Sequence, residues 1–593
     1  MPRHCSRFSV FVLALGFGCS GELVGGLVPG ATPGTPDPVS PDPTMTPMPM
    51  RPTPGPDLSF PCEAGQTSVA PLRRLSAVQY RNTVRDLFAP APGLDVATVA
   101  SMGLARLPVD EVSLSFSGID SRISESHVQA WYDVADSLAG AVVATPAVLS
   151  TLAGTCASQA PSAACINGFL DGFARRAFRR PLTTEERTRY LALNDGSRDA
   201  RELFRSLFFS VLMAPGFLYQ PEVNGQLVSG STSTLTIDPF ELASRLSFHF
   251  WQSMPDQALL TAAANGTLTT DNGYREQLER VVADPRTRTT MGRFYDEWFQ
   301  VGHVARFPST QVFTAFAAGT TIGQAGADHL QAADDELQAL TSHFTWDTQG
   351  TIKDVLLTDL SFTRSTHLAS LYGVPAWDGT SPHPRLDASQ RSGLLTRAAF
   401  LMSGTHSTHP IHRGAVVRRR LLCQDLPSPS PAALPPDALI PPMYQPDQTT
   451  RRRFENKVLQ EPCASCHLQM NPIGYVLENY DALGRFRTEE RIFDEATGAL
   501  VNTLPIDSTA QPRIDQVDES PLSTAQALSE QVANSGLVEA CFARQYFRFT
   551  HRRTETPADG CTLERLRTSG SGSLKAGLID VALNPSFRTR KVE

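Results

Sequence analysis

Apolar residues recur at helical spacing along most of the chain. Behind Ser76, a capping residue, Ala77, Tyr80, Val84 and Leu87 fall on one face of a predicted helix. Thr183 with Glu186 three residues later has the pattern of a capping box. Asp238-Pro239-Phe240-Glu241 supplies an N-cap, a proline at the first helical position and a reciprocal acid, and opens the run Leu242 to Trp251. Strand signals are sparse, with short candidates around Leu227 and Val501. The pattern predicts a mainly α, multidomain helical body. His249 sits within such a face, and Phe294, Tyr295, Trp298 and Phe299 recur at helical spacing, so all five read as core.

The pattern fails at the N-terminus. Arg3 and Arg7 precede an apolar run from Val10 to Leu15 that ends on small residues before Cys19. This order reads as a signal peptide over 1–18 and is too short to span a bilayer as a mature helix. A cysteine at that junction resembles a bacterial lipobox, although Gly16 stands where a larger aliphatic residue is commoner. Cys19 is thus the expected lipid anchor, with cleavage nearby and release of a soluble protein as the alternative. Residues 19–61 form a Pro-rich linker; from roughly Pro29 to Pro61 it has almost no large apolar side chain, and these some 30 residues make a disordered tether reaching about 90 Å at about 3.1 Å per residue. No other segment has 18 uninterrupted apolar residues. The expected location is the cell envelope, as an outer-membrane lipoprotein or at a periplasmic or extracellular surface.

At 593 residues the chain exceeds one core and divides into about three to five units. A formal charge of −8 argues against a nucleic-acid partner. The basic runs Arg418 to Arg420 and Arg451 to Arg453 lie beside acidic stretches and read as solvated helix faces.

Chemistry concentrates at Cys463-Ala464-Ser465-Cys466-His467, the C-x-x-C-H spacing of covalent c-type haem attachment. One helical turn offers two thiols to the two vinyl groups, and the adjacent His467 can coordinate iron. The same spacing also allows a Cys463–Cys466 disulfide or a pair of metal ligands. Zinc needs more donors, yet the next cysteine upstream is Cys423 and no histidine follows before His551. Met470 to Gly474, including Pro472, should break the attachment helix, after which Val476, Leu477 and Tyr480 can pack on the macrocycle. Arg485 suits a haem propionate or a surface ion pair.

Six cysteines then remain for disulfides: Cys62, Cys156, Cys165, Cys423, Cys541 and Cys561. Cys156 with Cys165 and Cys541 with Cys561 form local pairs, and elimination joins Cys62 to Cys423, although spacing does not fix connectivity.

Several stretches carry a resemblance. Pro71 to Ser76 with Asn82 to Leu87, Phe173 to Leu182, Glu241 to Phe248 with Trp251 and Pro255-Asp256, Arg391 to Thr396 with Arg413-Gly414, Cys463 to Arg485, and Cys541 onward are similar to the planctomycete-type cytochrome-c-like family. Its members are exported bacterial proteins built from five consecutive domains of unknown function. The resemblance implies modules at 62–150, 151–225, 226–385, 386–510, which holds the motif in a c-type-haem-like module, and 511–593.

The expectation is an exported surface lipoprotein with one covalent haem c, transferring electrons to a redox partner protein and held to the membrane by its N-terminal lipid. The rival is a non-catalytic binding or scaffold lipoprotein, docking polysaccharide or protein, with the two cysteines as a disulfide. Enzyme motifs such as H-E-x-x-H, G-x-S-x-G and the Walker loop are absent from the sequence. A peroxidase-like haem enzyme is a third reading, disfavoured by the single attachment motif. For the second axial ligand the inventory offers His551 downstream, and His406, His409, His412, Met402 and Met443 upstream. Met470 is three residues from His467 and too close to reach the opposite haem face, so bis-histidine or five-coordinate iron is expected.

Overall fold

The computed structural model describes Cys62 and residues 72–591, interrupted at 114, 118–121, 160, 301–303, 305, 319–321, 427–439, 441, 459–462, 516–517 and 519. The signal peptide, Cys19 and the Pro-rich linker lie outside the described residues. Helices dominate, and strands are confined to short antiparallel pairs and one three-stranded sheet.

Local signals set the helix starts. Ser76 Oγ accepts from Gln79 N and the Gln79 side chain accepts from Ser76 N, opening the helix Ala77–Phe88, whose Ala77, Tyr80, Val84 and Leu87 are buried. Thr183 and Glu186 form their reciprocal box ahead of Thr184–Leu191. Asp238 caps Pro239–Trp251 by accepting from Phe240 N and Glu241 N. Glu241 departs from the expected reciprocal acid: its carboxylate accepts from Val223 N and Asn224 N, both at 3.1 Å, and from Asn224 Nδ2 at 2.9 Å. The turn entering the strand Gly225–Leu227 presents these three donors, and they outnumber the single N–H of a box.

Gly225–Leu227 pairs with Thr234–Ile237, which pairs in turn with Thr589–Lys591 from the far end of the chain. Arg73–Arg74 pairs with Tyr219–Gln220, and Glu489–Phe493 with Leu500–Pro505. The apolar interior falls into two large clusters. One joins residues from Leu75 to Leu218 with Phe248 and Met254; the other runs from Ile237 to Phe587, with Phe116 inserted. His249, Phe294, Tyr295, Trp298 and Phe299 are all buried, and His249 Nε2 shares a 2.9 Å hydrogen bond with Tyr546 Oη. Among the described residues, no single helix is long and apolar enough to cross a membrane.

The arginine runs correct a sequence expectation. Arg419 and Arg452 are exposed, but Arg418 and Arg453 are only 4% and 9% exposed. In each run one guanidinium turns inward: Arg418 bonds backbone carbonyls, and Arg453 Nη2 donates to Thr450 Oγ1.

Disulfide connectivity is a second correction. Cys156 and Cys165 are bonded, but Cys541 joins Cys423 and Cys561 joins Cys62. The reason lies in the helix pair Leu537–His551 and Gly560–Gly572. A Cβ on Gly570 would meet the Phe542 ring at 2.5 Å, so the two helices run antiparallel with residue 542 level with 570. Cys541 therefore lies at the opposite end of the pair from Cys561, roughly 15 Å away at about 1.5 Å per residue. Its sulfur lies instead beside Arg420, whose carbonyl it meets at 3.1 Å, within reach of Cys423.

Candidate functional site

The motif occupies the start of one helix, Ala464–Val476, with Cys463 as its N-cap. Cys463 and Cys466 are half-buried, one turn apart, and in none of the three disulfides. Pro472 does not break this helix, contrary to expectation; it lies inside. A proline removes the hydrogen bond to the carbonyl four residues back and tilts the neighbouring carbonyls outward. Here Arg418 Nε donates to Gln469 O at 2.8 Å, and its Nη groups anchor on Pro512 O and Arg513 O, so the bent turn is lashed to the 512–514 segment.

A second helix, Pro410–Val416, packs along the first. A Cβ on Gly414 would sit 1.9 Å from Met470 O, and one on Gly474 1.9 Å from Pro410 O. The two helices are thus antiparallel and in near backbone contact. Arg413, 2% exposed, donates to Leu401 O, Leu477 O, Tyr480 O and Asp481 O, satisfying carbonyls where the motif helix ends. Burial lowers its pKa to about 10, countered by Glu478, 3.9 Å away. Burial in turn raises the Glu478 carboxyl, which accepts from Thr408 Oγ1 and pairs with Arg487.

His467 begins a polar row along the helix. Its Nδ1 lies 3.1 Å from Asn471 Oδ1, and Asn471 Nδ2 donates to Tyr475 Oη at 3.1 Å. With the amide oxygen facing it, Nδ1 is the ring nitrogen placed to donate, and Nε2 is the one that a metal would take. Two thiols one helical turn apart and the imidazole that follows them fit the donor set of a covalently held haem.

The remaining sequence-predicted residues do not gather around His467. Tyr480 is buried and donates to Gln390 O, while Val476 and Leu477 are fully buried in the protein core. Arg485 pairs with Asp481 and donates to Phe316 O. Met402 is buried in the core and Met443 is 79% exposed. His409 Nδ1 accepts from His412 N at the start of its helix, and burial lowers the pKa of His406 and of His409. The helix register puts His412 level with Pro472, about 7.5 Å along the axis from His467. His551 stacks on Phe547, and the charged groups acting on it are Arg553, Arg245, Arg73 and His249. Sequence reasoning missed Arg413, Arg418 and Asn471. Asn471 was legible as the i+4 neighbour of His467; the inward turn of the two arginines had no local signal.

Comparison with family models gives four matches, each described as a protein of unknown function: PSD3 (DUF1587) at 73–144, PSD5 (DUF1595) at 165–222, PSD4 (DUF1592) at 237–374 and PSCyt3 (DUF1588) at 391–490. The last spans both packed helices and the whole C-x-x-C-H motif. Comparison with curated proteins and with solved structures gives no match. The chain therefore carries, in this order, four domains of unknown function from the planctomycete cytochrome-c-like set.

Proposed function

We propose that this protein is an exported envelope lipoprotein that holds one covalent haem c at Cys463, Cys466 and His467 and passes single electrons to a redox partner. The carrying observation is the motif helix: Cys463 and Cys466 stand one turn apart ahead of His467, whose Nδ1 lies 3.1 Å from Asn471 Oδ1, so that the other ring nitrogen would face iron. The cytochrome-like family name of the 391–490 match supports the same reading. Each thiol would add its sulfur and proton across one vinyl double bond, giving two thioethers without net oxidation. The haem would supply a reversible one-electron centre.

The chain's own residues do the positioning. Asn471 and Tyr475 fix the imidazole plane, the Gly414–Gly474 contact holds the motif helix against its neighbour, and Arg418 secures the proline turn. A fifth module over 511–593, the lipid on Cys19 and the tether complete the proposal; the four family matches end at residue 490. The rival scaffold reading requires a Cys463–Cys466 disulfide, whereas the haem reading requires both thiols for the two vinyl groups.

Protein exported by a host with haem-attachment machinery tests this. A pyridine haemochrome band and a mass increase of one haem, both lost in Cys463→Ser/Cys466→Ser, are expected. An unmodified mass with the two thiols joined to each other would establish the rival.

A further inference from the structure

Segments far apart in sequence meet at a small cavity of about 30 Å³, lined by Arg73, Arg74, Ser76, Arg245, His249 and Arg552 among others. At about 10–15 Å³ per water, it admits a group of a few atoms. Four cations face it, and no carboxylate lines it. Two of the four are already matched. Arg74 Nη1 pairs with Asp110 at 2.8 Å, and Arg245 clasps Glu222 through Nε and Nη2.

The other two are not matched. Arg552 Nη1 donates to Ser117 O at 2.6 Å and its guanidinium lies over the Phe549 ring; Glu297 and Asp110 act on it, but neither forms a direct ion pair with it among the described residues. The Arg73 guanidinium has no hydrogen-bond or ion-pair partner among the described residues. The carboxylate acting on it is Glu222, which Arg245 already holds. Nearby, His551 Nε2 is buried and lacks a hydrogen-bond partner. Burial holds the pKa of Arg73 below its usual value and takes Arg552 to about 10. Two half-buried guanidiniums at one cavity, neither in a direct ion pair, leave room for an anion to join them.

We propose that this cavity binds a small oxyanion of the carboxylate or phosphate class, held by Arg73 and Arg552 with Ser76 Oγ as a neutral donor. Ser76 Oγ accepts from Gln79 N and so keeps its own proton to give. The cavity joins β-paired Arg73–Arg74, the helix Pro239–Trp251 and the end of Leu537–His551, so the bound anion would also bridge these segments.

The test uses the full chain, with calorimetric titration and thermal midpoints in phosphate, acetate and chloride at matched ionic strength. Phosphate or acetate should bind and raise the midpoint where chloride does not. Arg73→Gln should weaken binding by about tenfold or more, and without added anion it should melt at or above the wild type, because one of four mutually repelling cations around the cavity is gone. Arg552→Lys, which keeps the charge but loses the fork, should weaken binding less than Arg73→Gln. The Cys463→Ser/Cys466→Ser protein should bind as the wild type does, separating this site from the haem reading. Failure of the wild type to bind both phosphate and acetate would overturn the proposal. So would wild-type affinity in Arg73→Gln, or a lower melting point for that variant in anion-free buffer.

Discussion

Gly414 and Gly474 abut one another's helices so closely that a methyl group on either would overlap a carbonyl of the other, at 1.9 Å. Neither has room to give, because the obstructing atoms are backbone. Gly414→Ala or Gly474→Ala should each lower stability by about 1–3 kcal/mol in denaturant titration. Gly292→Ala is the control: it lies within the helix Pro285–Phe299 with nothing near its missing Cβ, and should be stabilising by about 0.5–1 kcal/mol. Equal losses in all three variants would refute the close-contact account.

The His467–Asn471 hydrogen bond predicts a graded response in haem-loaded protein. Asn471→Asp places a stronger acceptor on Nδ1 and should lower the midpoint potential. Asn471→Leu removes the acceptor and should raise it and broaden the Soret band. Potentials unchanged in both variants, read by spectroelectrochemistry, would mean that Asn471 does not orient the ligand.

If a haem is held at His467, neither His551, which lies among Arg73, Arg245 and His249, nor His412, which is offset along its helix, would supply a second ligand. Electron paramagnetic resonance of the ferric protein should give a high-spin signal unaffected by His551→Ala. A low-spin signal that collapses in His412→Ala would identify that residue as the ligand instead.

Peptide mapping without reduction should recover Cys423 linked to Cys541 and Cys62 linked to Cys561. Removing the first bridge with Cys423→Ser/Cys541→Ser should cost about 2–5 kcal/mol. A Cys541–Cys561 peptide would contradict the helix register.

His329 is fully buried, and neither ring nitrogen has a hydrogen-bond partner. Burial takes its pKa down to about 4, while the unfolded chain titrates near 6.5. Below pH 6.5 the unfolded state therefore binds a proton that the folded state refuses. Stability falls as pH drops from about 6.5 to about 4, by up to about 1.4 kcal/mol per pH unit from this residue. His329→Phe should flatten that slope and leave it unchanged above pH 7; an unaltered slope would place the acid sensitivity elsewhere.

Much of the helical body was legible because its signals are local. Ser76, Thr183 and Asp238 cap the helices their sequence announces, and the strand candidates at Leu227 and Val501 pair as strands. Features set by tertiary contact were not legible. Pro472 reads as a breaker in isolation, yet Arg418 and the neighbouring helix hold the turn around it. The Cys541–Cys561 pairing looked local along the chain, but two antiparallel helices carry those residues to opposite ends. The motif itself was plain in the sequence; the Asn471 contact that orients His467 required the helix.

The sheet that accepts Thr589–Lys591 has a consequence for how the protein is made. Thr234–Ile237 gains its second neighbour only when the final residues arrive, Tyr274 Oη donates to Ala582 O, and Arg245 Nη1 donates to Phe587 O. The interior begun at residue 237 thus stays unfinished until Thr589–Lys591 has been made. The cluster from Leu75 to Leu218 draws on its own segment apart from Phe248 and Met254, so it can close behind the ribosome, whereas the cluster from Ile237 to Phe587 must wait for its distant half.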